Sequence, residues 1–113
     1  MIRGNKSMGN LDGFRSSIIN VNKIDSNREF LAQNEKFKVV YFKFEENGGL
    51  PDHVHNGFAT IQVISGLIDI EFKSGEKFRL NAGDFLPFDA RVEHNVIARE
   101  LSKVLVTISQ SLS

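Results

Sequence analysis

The sequence predicts an all-β fold, a sandwich or barrel of short strands in one domain. Short apolar segments rich in Val, Ile and Phe recur from residue 37 to residue 109. Gly, Pro, Asn or Asp separates each from the next at a spacing too close for the crossover helices of parallel βαβ units. The length, 113 residues with 41% hydrophobic and 25% charged, is that of one ordinary globular domain.

Taken in order, residues 1–13 are polar and glycine-rich and read as a flexible N-terminal tail, followed by a single domain over residues 14–113. Ile18, Ile19 and Val21 predict a short strand over residues 14–21. Asp25 or Ser26 is placed to cap a short helical turn through SNREFLAQ, with Glu29 near its third position. No other helix is expected. Residues 37–44 alternate so that both faces are apolar, as in a barrel or sandwich. ENGGLPD reads as a loop. ATIQVI and LIDIEF are strands joined at Ser65-Gly66, and Lys73-Ser74-Gly75-Glu76 is a hairpin turn leading to a return strand over residues 77–80. Residues 85–88 form a strand whose Pro87 favours a sheet edge. Residues 94–98 and 103–109 complete the set. Ile61, Val63, Phe72, Phe85 and Phe88 are candidate core or pocket-lining residues.

Lys plus Arg balances Asp plus Glu at 14 each, with no basic stripe, which argues against nucleic acid and for a small or neutral partner. With no Cys, thiolate catalysis, disulfides and cysteine-bound zinc are excluded. No apolar run approaches the roughly 20 residues of a membrane helix, and the polar start lacks the apolar stretch of a signal peptide. The expectation is a cytoplasmic protein with no membrane partner.

The chain has three histidines, His53, His55 and His94. In an extended segment the two residues of DHVH at i and i+2 point to one side, about 6.6 Å apart. Two imidazoles so placed converge on one ion about 2.0–2.1 Å from each nitrogen, and antiparallel folding brings His94 beside them. The bland alternative is a solvated pair in a loop.

Two stretches resemble the motifs of small single-domain cupins, members of the RmlC-like superfamily. GGLPDHVHNGFATIQVISG carries Gly48 or Gly49, His53, His55 and Gly66 in the order of the first motif. GDFLPFDARVEHNV carries Gly83, Asp84, Pro87 and His94 in that of the second. The three histidines fall on the family's three histidine positions. The motif glutamate is missing, since its place near Phe58 or Ala59 holds no ligand, and Asp89-Ala90 stands where a glycine usually follows the proline.

The resemblance implies a cupin double-stranded β-helix, or jelly-roll barrel, and a homodimer. It also implies a divalent transition metal (iron, nickel, manganese, zinc or copper) on His53, His55 and His94. Gln62 is the candidate fourth ligand or substrate contact. Without the carboxylate the site gains one positive charge, which favours an anionic ligand. The reactions implied are dioxygenation, isomerisation or epimerisation of a small molecule, and no catalytic residue is assigned. The alternatives are a ligand-binding or sensor barrel without essential metal, and a structural partner domain. Asp52 and Glu93 flank the histidines but point the other way by strand alternation.

Overall fold

The computed structural model describes residues 16–109, so the expected tail lies outside the described residues. Nine strands run through them: β1 (Arg28–Gln33), β2 (Phe37–Phe44), β3 (Gly49–His53), β4 (Phe58–Ser65), β5 (Leu67–Phe72), β6 (Lys77–Asn81), β7 (Phe85–Asp89), β8 (His94–Ala98) and β9 (Ser102–Ser109). They form two antiparallel sheets, ordered β1-β2-β9-β4-β7 and β3-β8-β5-β6. Only β1–β2 and β5–β6 are successive strands of one sheet; every other connection crosses to the opposite sheet. This winding is that of a jelly roll.

The two inner faces meet in one core. Along β9, Ser102, Val104, Val106 and Ile108 are buried while the residues between them are half-buried. On β4, Ala59, Ile61 and Val63 point inward; on β5, Ile68, Ile70 and Phe72 do. Full burial of a Val or Ile side chain contributes about 1.5–3 kcal/mol. The β4–β5 junction needs glycine. Gly66 has φ +97°, and a Cβ there would lie 2.5 Å from the Leu101 carbonyl oxygen.

Three expectations are corrected. SNREFLAQ is not helical: residues 28–33 are β1, paired with β2 from Arg28↔Phe42 to Gln33↔Lys38. The Ser26–Glu29 contact forms (3.1 Å), yet it closes a bend before the strand. Asn34 Oδ1 accepts the backbone N–H groups of Lys36 and Phe37 and makes the hairpin turn that recruits β1 to the sheet. Residues 16–20 of the expected first strand are not extended into a sheet, and Val21–Lys23 is a 3-10 turn capped by the Asn20 side chain. The second half of ENGGLPD belongs to β3. Pro51 is tolerated there because β3 is an edge strand. The edge position expected for Pro87 is found, since β7 ends the other sheet.

Candidate metal centre

Strand register assembles the histidines. β3 pairs with β8 so that His53 lies directly opposite His94. β5 borders β8 on its other side and sets Phe72 opposite His94. On β8, His94, Val96 and Ala98 are buried while Asn95 and Ile97 are not, so His94 faces the interior. The segment after β3 is tied down by Ala90. The His55 amide donates to the Ala90 carbonyl (2.9 Å), and the Ala90 amide donates to the Gly57 carbonyl (2.9 Å). The second motif thereby fixes the first. Gly49 starts β3 at φ +153°, so close to β8 that a Cβ would collide with the Val96 carbonyl oxygen.

The ring centres of His53 and His94 are 4.3 Å apart, those of His53 and His55 5.2 Å, and those of His55 and His94 6.5 Å. Three imidazoles sharing one ion, with nitrogens about 2.0–2.1 Å away, hold their centres roughly 4.5–5.2 Å apart. Two of the three spacings lie near that range, and His55 must swing inward to meet it. Among the described residues no group of His, Asp or Glu is already gathered as a ready-made metal site.

Hydrogen bonding selects the tautomer. His53 Nδ1 lies 2.7 Å from the Pro51 carbonyl oxygen, and His94 Nδ1 lies 2.7 Å from that of Val92. A carbonyl only accepts, so in the neutral ring Nδ1 carries the proton and Nε2 keeps a free lone pair. Metal-bound histidines are held in the same way. His94 is 2% exposed, with the Phe72 and Phe88 rings 5.6 and 5.0 Å away. Burial pushes its pKa below the ordinary 6.5 and nearby His53 adds to this, against a bond to Val92 that pulls upward. Burial also lowers His55, followed by the charges of His53, Lys38 and His94. Both rings are therefore neutral at pH 7, the form that binds a cation.

A family model described as "Cupin domain" matches residues 40–108. The chain belongs to the cupin family. An RmlC-like cupin protein from Desulfovibrio desulfuricans is 25% identical over 87% of this chain and all of its own, with a TM-score of 0.76. KdgF from a Halomonas species is 27% identical over 76% of this chain and 79% of its own, with a TM-score of 0.66. A Klebsiella pneumoniae protein with a double-stranded β-helix domain, 23% identical over 86% of this chain and 92% of its own, shares the fold at a TM-score of 0.73. No curated protein matches.

This cupin does not bring Gln62 to the histidines. Gln62 is exposed, because the inward positions of β4 are Ala59, Ile61 and Val63. Its cross-strand neighbour Phe85 faces outward with it and is 58% exposed, so Phe85 leaves the expected core set, while Phe88 packs against the core. Of the two residues near which the missing glutamate is expected, Ala59 is buried in the core and Phe58 is exposed. Asp52 and Glu93 turn away as expected: Asp52 accepts from Asn95 (2.9 Å), and Glu93 sits 4.0 Å from Lys73.

A cavity of about 270 Å3 opens beside His53 and His55. Besides these two it is lined by apolar side chains, such as Val40, Leu50 and Val106, and by the cations Arg28 and Lys38. Sequence reasoning missed both cations. β1 had been expected as a helical turn, and a strand apolar on both faces does not say that Lys38 shares its face with inward Val40.

Proposed function

We propose that this cupin binds a divalent transition metal through His53, His55 and His94 and acts there on a small molecule. The observation that carries the reading is the cross-strand pair His53–His94, each Nδ1 tied to a carbonyl and each Nε2 free, with His55 beside them at the cavity. The donor set fits such an ion: three neutral imidazoles suit iron, nickel, zinc and copper and leave coordination positions open. A bound metal would supply Lewis-acid or oxygen chemistry, consistent with a dioxygenase- or isomerase-like reaction. The chain's own part is to hold the His53 and His94 rings in one tautomer through the Pro51 and Val92 carbonyls, to favour the neutral form of His55 and His94 by burial, and to line the cavity largely with apolar side chains.

The missing carboxylate favours a second reading, a ligand-binding barrel that needs no metal, because neither Phe58 nor Ala59, near which the glutamate ligand is expected, has a side chain that binds a metal. Thermal unfolding with and without each metal separates the two. A metal at about 100 times its dissociation constant stabilises the protein by about 2.7 kcal/mol. The proposal expects that stabilisation in the native protein and its loss in His53→Ala. A melting temperature indifferent to iron(II), nickel, manganese, zinc and copper alike contradicts it.

A further inference from the structure

We infer that the cavity beside the histidines receives a small organic acid, whose carboxylate is held between the Arg28 guanidinium and the Lys38 ammonium. The inference rests on the reading that this cavity is the ligand site, and it adds the chemical class of the ligand. Arg28 and Lys38 come from adjacent strands and from the same face. Arg28 is registered with Phe42, and Lys38 shares its face of β2 with Val40 and Phe42. Both reach the exposed Phe30 ring, the Arg28 carbon Cζ at 5.0 Å from its centre and the Lys38 nitrogen at 5.8 Å.

Neither cation has a carboxylate partner among the described residues. The ion pairs there are Lys73–Glu93, Arg79–Asp69, Arg91–Asp89 and Arg99–Asp69. Among the described residues no acidic side chain lines the cavity. Among the described residues the pocket therefore holds two positive charges, two imidazoles and an otherwise apolar wall, with no negative charge to balance them. An anion supplies the balance. A planar guanidinium matches a carboxylate in two parallel hydrogen bonds, and a lysine beside it adds a point charge. The volume equals about nine waters at roughly 30 Å3 each, which suits a metabolite and not a drug-sized ligand.

The test is a nuclear magnetic resonance titration of the full chain, stripped of metal with a chelator, against acetate and benzoate and against their neutral amides, acetamide and benzamide. The native protein is compared with Arg28→Gln, Lys38→Gln and, as a control cation elsewhere, Lys73→Gln; amide spectra confirm that each variant is folded. Expected is saturable movement of the Leu50 and Val106 amide signals with at least one acid and not with its amide. Affinity falls about tenfold in Arg28→Gln and in Lys38→Gln and is unchanged in Lys73→Gln. Equal response to acid and amide, affinity unchanged in both cavity variants, or no response to either acid at 100 mM overturns the inference. Because the protein is metal-free, acid binding that depends on Arg28 and Lys38 stands even if no metal ever binds, and metal binding without acid binding defeats this inference alone.

Discussion

Asp69 shows how a single residue on the outer face of a strand is held. Ile68 and Ile70 point into the core, so Asp69 points away from it, yet its side chain is 5% exposed because two arginines cover it. Arg79, its cross-strand partner on β6, donates from Nε and Nη2 at 2.9 and 3.0 Å, and Arg99 Nε donates at 2.7 Å. The two Arg79 hydrogen bonds, together with the one from Arg99, outweigh burial and hold the carboxyl well below its ordinary 3.8. A depressed carboxylate contributes stability that is present above the unfolded pKa and is lost as pH falls toward the folded one. Asp69→Asn is therefore expected to cost about 2 kcal/mol at pH 7, discounted for the exposed arginines, and to flatten the loss of stability below about pH 4. Urea midpoints between pH 2.5 and 7 check this, and parallel pH curves for the two proteins contradict it.

At the scale of the elements, glycines set where strands meet. Gly49→Ala forces the start of β3 away from the Val96 carbonyl and is expected to cost about 2 kcal/mol or more. If the proposed centre binds metal, Gly49→Ala is also expected to displace His53, four residues on, and to lower metal affinity about tenfold. Gly75→Ala shares a positive φ but meets nothing within 4 Å; the expectation is about 1 kcal/mol and unchanged metal affinity. Chemical denaturation and metal titration of the two variants test the contrast. The central strands were legible because their signals are local. β2, β5 and β8 carry strong apolar patterns with turn residues at both ends, and their bounds agree with the sequence reading. β1 was not legible, because its polar, Asn-rich segment becomes a strand only by pairing with β2, a tertiary effect that local propensity does not record. β3 was hidden by Pro51, which reads as a breaker until its edge position is known. Gln62 and Phe85 were misplaced for a related reason: a strand apolar on both faces does not announce which face is inward.

For the whole molecule, the jelly-roll winding turns two motifs about 40 residues apart into one locus. The His-x-His motif leads off an edge strand, the second motif supplies the neighbouring strand, and Ala90 ties the loop of the first to the end of β7. The three histidines were legible as a set, since no others exist in the chain. The cations beside them were not, because their convergence depends on the β1–β2 pairing. Among the described residues no helix is long and apolar enough to cross a membrane. The most direct test of the proposed centre is the metal content of the protein, purified without a polyhistidine tag and incubated with iron(II), nickel, manganese, zinc or copper, beside His53→Ala, His55→Ala and His94→Ala. The account predicts close to one ion per chain in the native protein and a loss of affinity above about 100-fold in each variant. No bound metal in the native protein, or equal metal in all four, would contradict it.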